Sequence, residues 1–227
     1  MLSRISIIIP AYNEEDSIGL VLKALPRQII QEIIVVDNGS TDETARVAIE
    51  NGARVVKEPK KGYGAACLKG IEGLDTPDIV VFLDGDFSDF PEEIVSLIDP
   101  IEKEKQDFVI GSRMILPKSR AALLPQARYG NQLAVFLIKL FFKHTYTDLG
   151  PFRAIRYNAL MSIGMQDTNF GWTVEMQIKA IKRGLRIIEV PVSYRERVGV
   201  SKITGTVSGT FKAGIKIIYT IFKYLLI

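Results

Sequence analysis

Short apolar runs rich in β-branched residues alternate along the chain with stretches whose apolar positions recur every three or four residues. Residues 5–9, 32–37, 53–56, 79–84 and 107–111 belong to the first class, and 17–25, 43–51, 61–74 and 92–104 to the second. A short continuous apolar run bounded by turn residues predicts a strand buried on both faces, and the longer period predicts a helix with one apolar side. Strand and helix in alternation predict an α/β fold, a Rossmann-like, mainly parallel sheet with helices on both faces. The second half reads differently: a long apolar helix at 125–143, a loop leading into a short strand at 147–155, a helix at 172–183, a strand at 187–194 and an amphipathic helix at 207–227. The expected division is one α/β domain over 1–205 followed by a basic amphipathic helix over 206–227.

Polar residues gather where the predicted strands end. Tyr12-Asn13-Glu14 follows the first strand, Asp37-Asn38-Gly39-Ser40 the second, Asp84-Gly85-Asp86 the fourth and Gly111-Ser112-Arg113 the fifth. In open parallel sheets ligands bind outside the carboxyl ends of the strands, so these exits converge on one candidate site.

Composition narrows the function classes. The chain has 227 residues, 47% hydrophobic and 24% charged, which excludes a disordered chain and suits a single domain with a sizeable core. Its net charge of +3 is too small for whole-molecule attraction to nucleic acid, and no nucleic-acid partner is expected. The one cysteine, Cys67, excludes an internal disulfide and points to a reducing compartment. The one histidine, His144, excludes His-rich metal sites. The run before Pro10 is too short for a signal peptide, and no apolar stretch reaches the roughly 18 residues of a membrane span. Beyond Glu196 no acid follows, whereas Lys202, Lys212, Lys216 and Lys223 do, so the tail is basic and apolar. The expected location is therefore cytoplasmic, peripheral on the cytoplasmic face of a membrane.

Asp84 and Asp86 flank Gly85 at the end of an apolar strand, and residues two apart on an extended segment point the same way. Two adjacent carboxylates repel unless a divalent cation joins them, and Mg²⁺ takes one or two carboxylates with water and substrate phosphate completing its shell. A turn carrying two solvated acids is the plainer alternative, which a D-x-D motif by itself does not exclude. Lys61-Gly62-Tyr63-Gly64 opens a helix whose exposed amides would favour an anion, or is an ordinary loop. Asp37 reads as a contact to a base or ribose, or as a cap for the next helix.

Together, Pro10-Ala11-Tyr12-Asn13-Glu14, Val35-Val36-Asp37-Asn38-Gly39-Ser40-Thr41-Asp42, Lys61-Gly62-Tyr63-Gly64, Asp84-Gly85-Asp86 and Gly111-Ser112-Arg113 resemble the inverting family 2 glycosyltransferases of GT-A fold. More narrowly they resemble the dolichyl-phosphate mannose and polyprenyl-phosphate glucose synthases. The resemblance implies a nucleotide-diphosphate-sugar donor, with Pro10, Tyr12 and Glu14 lining its pocket, and Val36, Asp37 and Asn38 at the base and ribose. Lys61 would belong to the same pocket. Asp84 and Gly85 would contact the diphosphate, and Asp84, Asp86 and Ser88 would hold Mg²⁺ or Mn²⁺. Arg113 would sit near the donor, Arg128 at an acceptor phosphate, and the segment 194–202, with Arg195, Arg197 and Lys202, would fold over the diphosphate. Relatives often carry Gln-His where Ser88-Asp89 stands, so Asp89 is an alternative to Ser88 in the metal shell. The Gln-x-x-Arg-Trp motif common where the acceptor is a hydroxyl does not occur.

A phosphate acceptor is already ionised at neutral pH and needs cations to position it, not a general base. Arg113, Arg128, Arg195, Arg197 and Lys202 suit that role, and the implied acceptor is a polyprenyl or dolichyl phosphate. A saccharide or small-molecule hydroxyl acceptor, with Glu175 or Asp148 as base, is one alternative; a non-catalytic nucleotide-sugar-binding subunit is another. For Glu175 a salt bridge on its own helix is the plainer reading, and for Asp148 a turn. Lys212, Lys216 and Lys223 fall within roughly 40° on a helix, which suits a membrane interface. The competing expectation is that the 125–143 and 207–227 helices pack on the domain, on a homo-oligomer partner or on a membrane protein.

Overall fold

A computed structural model describes residues 3–199 and 207–226, with side chains in the last helix from 212 onward. The strands are β1 (Ile5–Ala11), β2 (Glu32–Asp37), β3 (Arg54–Lys57), β4 (Ile79–Phe82), β5 (Phe108–Ser112), β6 (Arg153–Arg156) and β7 (Ile187–Pro191). The helices are α1 (Glu15–Ala24), α2 (Thr44–Glu50), α3 (Tyr63–Glu72), α4 (Ile94–Lys103), α5 (Pro117–Ala122), α6 (Pro125–Phe142), α7 (Tyr157–Ile163), α8 (Trp172–Lys182) and α9 (Val207–Leu226). Among the described residues one seven-stranded sheet forms, in the order β3-β2-β1-β4-β6-β5-β7. Every neighbouring pair is parallel except those of β6, which runs antiparallel to β4 and β5.

The apolar runs form strands because both faces of the sheet are covered. Ile5, Ile7 and Ile9 point to one side, where they meet Ile18, Val21 and Leu22 of α1 and Ile94, Leu97 and Ile101 of α4. Ile8, Ile34, Val80 and Phe82 point to the other, against α3, α6 and α8, with Trp172 fully buried there. Each such side chain contributes about 1.5–3 kcal/mol of burial.

The predicted strand at 187–194 stops at Pro191, which has no N–H to extend the ladder on an edge strand. Beyond it the Val192 N–H still donates to the Ser112 carbonyl at 3.1 Å, and Tyr194 forms an isolated bridge with Asp89. Helices α5 and α7 are not anticipated by periodicity, since six or seven residues are too few to display it. Pro117 at the first position of α5 was the available local signal.

Helix α9 packs on α6 and α8. Ile221 and Tyr224 are buried in the second core layer, and Phe222 meets Phe141 with ring centroids 5.4 Å apart. Among the described residues no helix is long and apolar enough to cross a membrane.

Candidate active site

Strands β2, β1 and β4 are adjacent and parallel, so their carboxyl ends open onto one cleft of about 320 Å³. Pro10, Tyr12 and Glu14 line it from β1, Asn38 from β2, and Asp84, Gly85 and Asp86 from β4. Lys61, Gly62 and Tyr63 approach from the start of α3, and Asn169, Phe170 and Arg197 from the second half of the chain.

The electrostatics centre on Asp84 and Asp86. Burial pushes the Asp84 carboxyl up to about 7, and the charge of Asp86 adds to the rise; a hydrogen bond from Tyr63 and the nearby Arg113 and Arg197 act against it. Tyr63 Oη donates to Asp84 Oδ1 at 3.0 Å. Asp86 Oδ1 accepts both the backbone N–H and the hydroxyl of Ser88, at 2.9 and 2.6 Å. Arg197 bridges Asp86 and Glu14, its Nη1 lying 3.2 Å from Asp86 Oδ2. Burial raises the Glu14 carboxyl, and the Arg197 charge opposes that rise. Lys61 Nζ donates to Tyr12 Oη at 3.0 Å and stands over the Tyr12 ring.

Other candidates are engaged within the fold. Val36 is fully buried in the sheet core. Asp37 is buried and accepts the Ser40 N–H at 2.9 Å, a turn contact. Asn38 borders the cleft, but its amide is occupied in holding the 58–62 segment: it donates to the Glu58 and Lys60 carbonyls and accepts from the Gly62 N–H. Ser88 sits behind Asp86 as its donor.

Arg113 leaves β5, two strands from β4, and forms a bidentate pair with the buried Asp148 at 2.8 Å. Burial would lower the Arg113 pKa; the charge and hydrogen bonds of Asp148 more than reverse this. Arg128, on α6, stands over the ring of Tyr129. Arg195 is sandwiched between Phe87 and Phe90, 3.8 Å from each ring centroid. Lys202 lies outside the described residues.

The glycines at the start of α3 meet a second part of the chain. Gly62 has φ +146°, and a Cβ there would overlap the carbonyl of Thr168; one on Gly64 would overlap that of Asp167. The Ala65 N–H donates to Thr168 O at 2.9 Å. These glycines admit the 165–170 segment against α3, and that segment brings Asn169 and Phe170 to the cleft. Sequence reasoning missed both residues, because nothing local marks a loop whose partner lies a hundred residues earlier.

Neither candidate base borders the cleft. Glu175 is fully buried and paired with Lys179 at 2.7 Å, and Asp148 is committed to Arg113. Asp89 is buried, and among the described residues neither of its carboxylate oxygens has a hydrogen-bond partner. Burial, reinforced by Asp84, pushes its pKa well up.

The donor set fits a hard divalent cation. Asp84 and Asp86 share a charge-repelling site, and the orphaned oxygens of Asp89 lie in the same electrostatic cluster. Among the described residues no three His, Cys, Asp or Glu side chains form a closed cage. Two carboxylates with the remaining positions left to water and phosphate oxygens is the pattern Mg²⁺ or Mn²⁺ accepts.

Comparison with known proteins bears on this cleft. Residues 6–164 match the model of glycosyl transferase family 2. The chain is 33% identical to a dolichyl-phosphate hexose transferase of Haloferax volcanii, over 88% of this chain and 86% of that protein. It is 31% identical to an undecaprenyl-phosphate mannosyltransferase of Micrococcus luteus, over 91% and 90%. Among solved structures, glucosyl-3-phosphoglycerate synthase of Mycobacterium tuberculosis, in complex with Mn²⁺, UDP and glucosyl-3-phosphoglycerate, superposes with a TM-score of 0.81. That match covers 99% of this chain and 81% of the other at 23% identity, and it shows the shared fold.

Proposed function

The chain belongs to glycosyl transferase family 2, with the GT-A fold, and from that premise we propose that it is an inverting, metal-dependent hexosyltransferase. Its donor is a nucleotide-diphosphate sugar, GDP-mannose or UDP-glucose, and its acceptor a polyprenyl phosphate presented at a membrane surface. The observation that carries this reading is the cleft itself, where the Asp84/Asp86 pair faces the cations Arg197 and Lys61 at the end of a parallel sheet. The polyprenyl-phosphate acceptors in the names of the two relatives support the acceptor class.

Asp84 and Asp86 would hold Mg²⁺ or Mn²⁺, which when bound offsets the charge developing on the leaving diphosphate. Mn²⁺ in a neighbour of the same fold supports that choice. Tyr63 and Ser88 fix the two carboxylates through their hydrogen bonds. An acceptor phosphate oxygen attacks the anomeric carbon, the bond from that carbon to the diphosphate oxygen breaks, and the nucleoside diphosphate leaves. The acceptor loses no proton, so no base is required, in keeping with Glu175 and Asp148 being committed elsewhere. Arg197 stands where it can follow the leaving charge, and Arg113 is held rigid by Asp148. Arg128 and Lys202 remain the proposed contacts of the acceptor phosphate.

Peripheral attachment is part of the reading. Leu133, Phe136 and Leu140 of α6 and Ile215, Tyr219 and Phe222 of α9 are exposed on two helices that pack together. Lys139, Lys143 and Lys212 are exposed beside them. Apolar side chains flanked by lysine suit the interface of an anionic membrane, here the cytoplasmic face.

The test is a transfer assay with the full chain, radiolabelled GDP-mannose or UDP-glucose, Mn²⁺ and polyprenyl phosphate. Cation-dependent label in the organic phase is the expected result. Label confined to the aqueous phase with both donors overturns the acceptor assignment.

A further inference from the structure

The segment between α7 and α8 forms one side of the cleft without belonging to the sheet. Asn169 and Phe170 line the cleft, and the Thr168 carbonyl accepts the Ala65 N–H. Two carboxylates hold this segment. Glu175, fully buried, accepts the backbone N–H of Gln166 at 3.0 Å and of Asp167 at 2.6 Å. Asp167 accepts the N–H of Asn169 at 2.7 Å. Each carboxylate is in turn held by a side chain of α9: Tyr224 Oη donates to Glu175 Oε1 at 2.6 Å, and Lys216 Nζ lies 2.7 Å from Asp167 Oδ2.

We infer that α9 braces the donor cleft: Lys216 and Tyr224, acting through Asp167 and Glu175, are positioning residues that set where Asn169 and Phe170 stand. The physical reason is the placement of the charges. Glu175 is a buried acid whose cost is met by two backbone amides, Lys179 and Tyr224, so withdrawing one donor leaves polar groups unpaired. The segment has no strand pairing to hold it otherwise, and its far side abuts glycines that leave α3 no slack. A shift at Asp167 therefore passes to Thr168, Asn169 and Phe170. The lysines of α9 also divide by role: Lys216 faces the domain, while Lys212 is exposed.

The inference rests on the cleft being the donor site, and the experiment keeps the two readings apart. Lys216→Glu, Lys216→Arg and Tyr224→Phe are made in the full chain. Each is titrated with UDP and with GDP in the presence of Mn²⁺, and hydrogen exchange is followed on peptides covering 62–66 and 166–170. Lys216→Glu is expected to weaken the nucleotide bound by the parent about three- to ten-fold, the coupling found within one ion-pair network, and to speed exchange in both peptides. Lys216→Arg restores both readouts, and Tyr224→Phe moves them in the same direction. Unchanged exchange in both peptides, or a lowered Tm with parental nucleotide affinity, overturns the brace. Should the parent bind neither nucleotide, the donor reading fails and the exchange data alone decide. Tyr224→Phe, the loss of one hydroxyl, keeps the test decisive if Lys216→Glu does not fold.

Discussion

Arg197 Nη1 lies 3.2 Å from Asp86 Oδ2, and the other amino group of Arg197 reaches Glu14. Arg197 stands more than a hundred positions from either carboxylate, and it places a cation where the diphosphate is expected. Arg197→Ala should reduce transfer about 10²–10³-fold, the usual loss of a group that stabilises developing charge. It should also lower Tm more at pH 8 than at pH 5, because Asp84 and Glu14, whose carboxyls burial pushes up, then ionise without the charge of Arg197 to oppose that rise. Steady-state kinetics and thermal melts at the two pH values check both halves.

Asp84 predicts a pH dependence of opposite sign to an ordinary salt-bridged carboxylate. Its pKa is pushed up to about 7, so the folded state keeps a proton that the unfolded chain loses near 4. Without added cation, stability should fall as pH rises through that window. Asp84→Asn keeps an acceptor for Tyr63 and removes the charge, so it should flatten the slope, leaving the part due to Glu14 and Asp89, and raise Tm at pH 8 by about 3–6 °C. Transfer should drop at least about 100-fold. Mn²⁺ should raise the Tm of the parent at pH 8 and leave Asp84→Asn unmoved.

Gly62 tests the seam between α3 and the 165–170 segment. Its φ of +146° and the Thr168 carbonyl leave no place for a side chain. Gly62→Ala should cost at least about 2 kcal/mol in urea denaturation and weaken nucleotide binding. Gly39 also has positive φ, +79°, but nothing within 4 Å of an added Cβ. Gly39→Ala should cost only about 1 kcal/mol, the backbone penalty alone.

The apolar surface of α6 and α9 should bind anionic vesicles. Changing Lys139, Lys143 and Lys212 together to Glu should abolish cosedimentation with phosphatidylglycerol vesicles at low salt while leaving the Tm within about 2 °C, as for exposed positions. Phe136→Ser with Phe222→Ser should weaken binding at high salt as well. Retained cosedimentation in both variants would sink the membrane assignment.

Much of the sheet was legible because its signal is local. An apolar run such as 79–82 must be buried on both faces, and Asp84-Gly85-Asp86 must then emerge at its end. The exits of β1, β2 and β4 meet as expected, since those strands are neighbours. The exit of β5 does not join them: β6 inserts between β4 and β5, and so Arg113 stands outside the cleft lining, with Asp148. Strand order is a property of the whole sheet that no run of residues carries.

The alternation of strand and helix, the two-sided burial of the sheet and the polar exits at its carboxyl edge can be read along the chain, because hydrophobic period and turn residues act over a few positions. Which side chains meet follows from packing across the whole molecule. Lys216 sits in an apparently continuous lysine stripe, yet it pairs with Asp167, whereas Lys212 stays exposed. Glu175 reads as an acid on a helix and becomes the buried anchor of a cleft wall. Gly62 and Gly64 read as an anion loop or an ordinary one, and in the fold they admit a backbone from the other half of the chain. Each outcome depends on groups brought together across long sequence separations, where position is set by the packing of entire layers and charge finds its partner only after the fold has formed.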